Sequence, residues 1–456
     1  SDSNANDEDK NRDVNVSKFT YICNKICLNE QSKTIKYSGR CFMITSIILI
    51  LFFFVVIPMI IKAIVAKSTI SVETVYMSNP TNTTFDVDST LIFSNAGGIS
   101  VKAQMNNLAI DWVDGSNVLE CVVIENSNEI TIKNNKAATL DSNAIITNIT
   151  SFTNFNTFAV GATEVDWKFS GTANILFMGN TKVNIDKDVT LTGYENFPID
   201  PIIYRVNTTN GYNNTLITIA PASLTSTSNI NIDLGTDLYF HVVCNGTNIG
   251  IGSIPNFKLV TGTIDVVTSV NLTYTNTIEY NQIMLLLSNF SSGIDSYVTM
   301  SNFYMDPPIE WLVPGFGSIS MDAIMPGMST PLINLITLYE KLIPENMDYQ
   351  MLLYNPEECN MTVTSIVGSM YSNNIEIATV NNLDLYIVVQ PHQYVTTPML
   401  LSSTVNSQAA DAEFNILKTA GGGYIDAYSQ LGINMANFEA NFEYIQLNTT
   451  LIMVPA

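Results

Sequence analysis

Few side chains in this chain are equipped for chemistry. There are two histidines, His241 inside the apolar run Leu238-Tyr239-Phe240-His241-Val242-Val243 and His392 beside Pro391. Neither lies in a His-Glu-x-x-His pair, and the chain carries no Gly-x-Ser-x-Gly nucleophile elbow and no Gly-Lys-Ser/Thr phosphate loop. Cys23 and Cys27, with three residues between them, are too few thiols for a tetrahedral metal site within one chain. Among the many carboxylates, Asp306 and Glu310 beside Trp311 form the best local cluster for a paired-acid glycosidase, but such enzymes need a set separation across a sugar cleft, and an acidic surface yields accidental pairs. Gly421-Gly422-Gly423 has no Lys-Ser/Thr behind it and reads as a turn or bulge. The expectation is a protein that is not an enzyme, with no cofactor and no metal.

Charge narrows the partners. The chain has 19 Lys and Arg against 41 Asp and Glu, a formal charge of −22. Past Lys67 the only arginine is Arg205, so a face that neutralises phosphates is not expected. Nucleic acid and anionic membrane surfaces are therefore poor expected partners.

One stretch stands apart. Cys41 to Ile61 runs 21 residues without a charge, dominated by Ile, Leu, Phe and Val, long enough to cross roughly 30 Å of hydrocarbon. In lipid such a run must be helical, because unpaired backbone amides cost several kcal/mol there; Pro58 is expected to kink its last turns. The run is too long for a signal-peptide core, and Arg40, Lys62 and Lys67 flank it. Lys25, Lys33, Lys36 and Arg40 precede it, which favours a cytosolic N-terminus. Residues 41–66 are thus expected to form a signal anchor contacting the bilayer, preceded by a disordered tail, 1–40, too polar to offset its ordering entropy. Cys41, at the boundary, is a palmitoylation candidate.

Nine Asn-x-Ser/Thr sequons follow, at Asn82, Asn148, Asn207, Asn213, Asn245, Asn271, Asn289, Asn360 and Asn448. Each is a glycan acceptor if luminal, although a composition this rich in Asn, Ser and Thr produces sequons by chance. Cys121, Cys244 and Cys359 are sparse and odd in number, more like buried thiols than a disulfide framework, with one pairing left open.

Beyond Lys67 the texture is short β-branched runs alternating with period two, separated by Asn and Gly turns, which reads as antiparallel sheet. Val183, Ile185, Val189 and Leu191 share one face, with Asp186, Asp188 and Thr190 opposite. A repeat appears at about 135 residues, a domain-sized period. Its proline-marked entries are Ser78-Asn79-Pro80, Ala220-Pro221-Ala222 and Tyr354-Asn355-Pro356, each leading into an alternating strand, Phe85 to Phe93, Ile230 to Val242 and Met361 to Met370. Three β-sandwiches are expected, over 68–197, 198–330 with a Pro/Gly-rich linker, and 331–456. Apolar residues at 332, 335, 336, 339, 342 and 343 predict a helix over Leu332 to Ile343.

These units resemble the late-embryogenesis-abundant type 2 domain, also called the water-stress and hypersensitive-response domain. The resemblance rests on the Asn-Pro strand entry, the Asn245-Gly246 turn and the Ile249-Gly250-Ile251-Gly252 step; the third unit has Asn355-Pro356 but lacks the glycines. Val165-Asp166-Trp167-Lys168-Phe169-Ser170-Gly171-Thr172-Ala173 and Asp186-Lys187-Asp188-Val189-Thr190-Leu191-Thr192-Gly193 are similar to fungal single-pass proteins with tandem domains of this type. The resemblance implies fibronectin- or immunoglobulin-like sandwiches and a vacuolar or lysosomal membrane protein that is not an enzyme, binding lipid or another hydrophobic ligand or acting as a luminal scaffold. The alternative is a cell-surface adhesion or receptor-like glycoprotein at the plasma membrane.

Overall fold

The computed structural model describes residues 45–98, 100–176, 180–195, 201–340 and 346–455. The tail 1–40, Cys23, Cys27, Cys41, Arg40 and the boundary residue Pro198 lie outside them.

An apolar helix, α1 (residues 45–67), opens the described chain, and its Thr45–Val65 portion is long and apolar enough to cross a membrane. Pro58 has no N–H to give to the turn before it. That turn, Phe52–Val56, is π-helical, with the Ile57 N–H reaching back to the Phe52 carbonyl, so the expected irregularity is a local widening.

The rest is mainly β, as alternation predicts, and built in three similar runs. The first holds β1 (Thr69–Ser78), β2 (Thr84–Ser94), β3 (Ser100–Asp114), β4 (Asn117–Lys133), β5 (Lys136–Ile146), helix α2 (Ile149–Gly161), β6 (Glu164–Leu176) and β7 (Asn180–Thr192). The second holds β8 (Ile202–Ile203), β9 (Asn207–Tyr212), β10 (Thr215–Ser226), β11 (Ile230–Asp233), β12 (Leu238–Cys244), β13 (Thr247–Ile254), β14 (Lys258–Leu259), β15 (Gly262–Thr273), α3 (Thr277–Ser291), β16 (Ser296–Met305), α4 (Val313–Gly317) and β17 (Ser320–Met325). The third holds β18 (Ile333–Tyr339), β19 (Asn346–Tyr354), β20 (Met361–Ser372), β21 (Ile375–Asn382), β22 (Ile387–Val389), β23 (Tyr394–Thr396), β24 (Leu400–Thr404), α5 (Gln408–Ala420), β25 (Gly422–Met435) and β26 (Phe438–Val454).

The sandwich layers join at their edges. In the second run the order β15-β13-β12-β16-β17-β8-β10 returns to its start, because β10 pairs with β15 from Thr215 opposite Thr273 to Ser226 opposite Gly262. In the third, β18-β26-β25-β20-β21-β24-β19 closes the same way through β18 and β19. Closure removes the exposed edges that would recruit other chains. The first sheet, β1-β2-β5-β4-β3-β6-β7, stays open between β7 and β1. Asn229 and Ser228 span that opening, contacting Thr192 on one side and Val72 and Val75 on the other.

Local chemistry explains the turns. Asn245-Gly246 and Asn373-Asn374 have positive φ throughout, the geometry of a two-residue hairpin loop. Gly250 and Gly252 serve packing instead: a Cβ on Gly252 would lie 2.2 Å from Phe240 Cζ, and one on Gly250 would lie 2.3 Å from the Asn271 carbonyl oxygen. Gly421, in the left-handed region, caps α5, while Gly422 and Gly423 open β25 opposite Ile452 and Leu451.

Two expectations are corrected. Leu332 to Ile343 does not begin a helix; Ile333–Tyr339 is strand β18. A bulge between Ile333 and Leu335 makes Ile333, Ile336 and Leu338 the buried set, and that three-residue step mimics a helical face. Ala220-Pro221-Ala222 is not a strand entry either, since Pro221 sits within β10 opposite Val267. The proline-rich segment after Asp306 contains α4 and β17, and β17 pairs with β16 from Met325 to Ser320. The alternation gave no sign of helices α2, α3 and α5, which recur roughly every 130 residues, starting at Ile149, Thr277 and Gln408. Each carries an N-cap, Asn148, Asn276 or Ser407, whose side chain accepts a backbone N–H of the first turn.

The three runs are interlocked. Strands β11 and β14 leave their own sheet to extend the first, β11 running parallel to β1 with Val75 opposite Ile230. Trp311, fully buried, packs between Phe85 and Phe152 of the first run, with centroids 5.8 and 4.8 Å away. The third run is joined at Asn207, Thr208, Ser292 and Tyr274 of the second, which meet Glu358, Glu357, Ile445 and Phe438.

Candidate functional site

The suspected catalytic residues are scattered. Trp311 is interior and its indole donates to Thr81, while Asp306 and Glu310 are exposed and line none of the cavities described below. His241 lies in β12 at 6.2 Å from the Tyr304 ring. His392, half exposed, stands 3.3 Å from Glu358. Among the described residues no group of three His, Cys, Asp or Glu could hold a metal ion. Cys121, Cys244 and Cys359 are free and buried, and burial raises all three thiols, Cys121 and Cys359 to about 11. They are packed sulfhydryls, not nucleophiles.

The sequon asparagines divide by exposure. Asn82, Asn148, Asn213, Asn245, Asn271, Asn360 and Asn448 are exposed; Asn207 and Asn289 are half-buried. The amides of the last two are engaged, Asn207 Nδ2 donating to Glu358 and Asn289 Nδ2 to Ser296 Oγ.

Three cavities bear on ligand binding. Inside the second ring, Ile203, Ala220, Phe240, Val270, Leu286 and Met300 line an apolar chamber of about 60 Å³. That is far below the several hundred Å³ of a usual ligand site. A cleft of about 300 Å³ lies under α5, walled by Met347, Ile377 and Phe414 and edged by Glu340, Asp411 and Lys418.

The third cavity, about 370 Å³, lies where the second and third rings meet, and here the titratable groups converge. Arg205, His392 and Glu357 all border it. The turn that presents Glu357 is built by Asn355, which is fully buried. Its Nδ2 donates to the Cys359 and Val389 carbonyls while its Oδ1 accepts the Glu357 N–H. That network gives the Asn-Pro entry a physical purpose: one side chain satisfies three buried backbone groups. Glu357 accepts the backbone N–H of Thr208, and burial pushes its carboxyl up to about 7 despite that bond. Sequence reasoning missed Glu357, because a single acid among 41 gives no signal until the fold buries it. The group is engaged with backbone, so the arrangement suits a protonation-dependent joint better than proton transfer to a substrate.

Residues 122–239 match a family model described as a protein of unknown function, DUF3712, spanning parts of the first two runs. No curated protein matches the chain. Among solved structures, red sea bream transglutaminase aligns over 57% of this chain and 31% of its own, at 13% identity and a TM-score of 0.18. The Escherichia coli adhesin FdeC aligns over 84% and 98%, at 9% identity and 0.19. The periplasmic chaperone SfaE aligns over 56% and 97%, at 10% identity and 0.14. The chain spans about a third of the transglutaminase. TM-scores this low carry no argument about fold or function.

Proposed function

We propose that this chain is a non-enzymatic, single-pass membrane protein whose ectodomain is a rigid scaffold on the luminal side of a vacuolar or lysosomal membrane. The observation that carries the reading is the interlocking of the three runs, with β11 and β14 of the second joined to the sheet of the first and Glu357 and Ser292 bonded across the second junction. Freely jointed modules would not share strands. Under this reading the N-terminus is cytosolic, the exposed sequons are glycan acceptors and the units are degenerate late-embryogenesis-abundant type 2 domains of a fungal type. The raised carboxyl of Glu357 favours an acidic compartment, since it stays protonated there.

Ligand binding is the second reading, favoured by the 300 Å³ cleft under α5 with its Met347, Ile377 and Phe414 walls. Lipid mass spectrometry on the purified full chain separates the two. The scaffold reading expects no lipid retained stoichiometrically beyond the annulus of α1, with none lost on Phe414→Arg substitution. A stoichiometric lipid that this substitution removes would overturn it in favour of binding. A tagged chain found at the plasma membrane would overturn the compartment and favour the adhesion or receptor alternative.

A further inference from the structure

The overall acidity conceals a polarity set by the fold. Helix α1 runs into β1 with only Ser68 between them, and Ser68 Oγ donates to the Val65 carbonyl. There is no stalk. Ile61 and Val65 are buried while Ile47 to Val56 are exposed. The ectodomain therefore reaches down the helix to Ile61, about 9 Å below Lys67 at 1.5 Å per residue. That depth is comparable with one headgroup layer.

What sits at that level follows from the register. A Cβ on Gly97 would lie 3.6 Å from the Ile64 side chain, so the β2–β3 loop touches the helix. The same loop is tied to the β4–β5 turn, Ala96 N–H donating to Asn134 Oδ1 and Asn135 N–H to the Phe93 carbonyl. That turn is flanked by Lys133 and Lys136. Ser100 lies opposite Lys133, Lys102 opposite Leu176, and Leu176 opposite Asn180, which puts Lys102 and Lys182 within two residues of the same end.

Along this end, residues 67–72, 94–98, 100–102, 130–138, 174–176 and 180–182 carry Lys67, Lys102, Lys133, Lys136 and Lys182 and no Asp or Glu. All five lysines are exposed, as is Lys62 on the helix. Glu73 and Glu129 stand just beyond these stretches, and Glu129 is paired with Lys102 at 2.5 Å. A rim holding four of the ten cations that follow Lys67, on a body with 35 acids, is a strong segregation of charge.

We infer that this lysine rim at the α1 end of the first sheet is a seat for anionic lipid headgroups of the ectodomain-side leaflet, orienting the rings against the membrane. The inference rests on α1 spanning the bilayer, as proposed above. It revises the expectation drawn from net charge: the anionic surface is a poor partner for the ectodomain as a whole and a fitting one for this end. The acidic remainder is repelled by the same surface and held away from it.

The test uses the full chain reconstituted in phosphatidylcholine vesicles with spin-labelled phosphatidylserine or spin-labelled phosphatidylcholine, read by electron paramagnetic resonance as the fraction of motionally restricted lipid. We expect a preference for the serine lipid that falls by about fivefold in the K133Q/K136Q/K182Q variant, the weight of a surface lysine or more. The K133R/K136R/K182R variant keeps the preference. An undiminished preference in the Gln variant, the sign that only the cations before α1 select the lipid, would overturn the inference, as would an equal loss in the Arg variant. Failure of α1 to insert, seen as extraction at alkaline pH, would instead overturn the anchoring on which it rests.

Discussion

The indole N–H of Trp311 donates to the carbonyl oxygen of Thr81 at 2.7 Å, across 230 residues of sequence. Trp311 belongs to the approach to α4 in the second run, and Thr81 to the β1–β2 turn of the first. The ring that makes this bond is wholly enclosed and stands against Phe152 and Phe85. A polar handle and a large apolar body are thus used at one junction.

Trp311→Ala should therefore cost about 3–5 kcal/mol, the penalty for emptying a large buried aromatic site. Trp311→Phe keeps most of the packing but orphans the Thr81 carbonyl, and about 1–3 kcal/mol is expected. Urea unfolding of the full chain in detergent, followed by far-ultraviolet circular dichroism, gives both values. A loss under 1 kcal/mol for the alanine variant would mean the junction is not rigid.

Gly252 gives a sharper test of the Ile-Gly-Ile-Gly step. A methyl there would enter the Phe240 ring, whereas Gly246, with φ of 78° in the open β12–β13 turn, has nothing near its missing Cβ. Gly252→Ala should destabilise by about 1–3 kcal/mol through overpacking, and Phe240→Leu should recover part of it. Gly246→Ala should cost about 1 kcal/mol through backbone strain alone, with no rescue from Phe240→Leu. Thermal denaturation of the four variants distinguishes them, and equal behaviour of the two glycines would sink the packing explanation.

Much of the strand content was legible because one-sided burial leaves a period-two trace: Val183, Ile185, Val189 and Leu191 are buried and Asp186, Asp188 and Thr190 are exposed, as their spacing requires. The asparagine turns were legible because Asn and Gly tolerate positive φ. The bulge in β18 was not, because one extra residue converts a strand's period into something close to a helix's. Nor was the transfer of β11 to the first sheet: Ile230 to Val242 alternates continuously, and only Gly235, at φ 64°, marks the break between two strands bound for different sheets. Glu357 could not be found at all, since burial is a property of what packs around a residue.

The sequons make a prediction that composition could not. If the ectodomain is luminal, glycans should map to the exposed asparagines and be missing from Asn207 and Asn289, which are half-buried with their amide nitrogens bonded to Glu358 and Ser296. A glycan on Asn207 would break the joint between the second and third rings. Enzymatic deglycosylation in heavy-oxygen water followed by mass spectrometry reads each site. Occupancy of Asn207 on folded protein would contradict the junction described above, and no occupancy anywhere would count against the luminal orientation.

Glu357 sets a pH dependence whose direction is fixed. Its carboxyl is held at about 7 by burial when folded, against 4.5 for an ordinary glutamate. Between those values the folded chain holds a proton that the unfolded chain has released, so stability is fullest below about pH 4.5 and is lost as pH rises towards 7. The size is on the order of 2–3 kcal/mol, set against the steady repulsion among other carboxylates. Glu357→Gln retains a neutral side chain and an oxygen for the Thr208 N–H, and should flatten this part of the profile, leaving the variant more stable than the parent at pH 7.5 and nearly equal to it at pH 4.5. Denaturation midpoints measured at the two pH values check it. A parent chain that loses stability on acidification through this window, with Glu357→Gln following in parallel, would show that Glu357 is ionised at neutral pH and that the second junction does not respond to protonation.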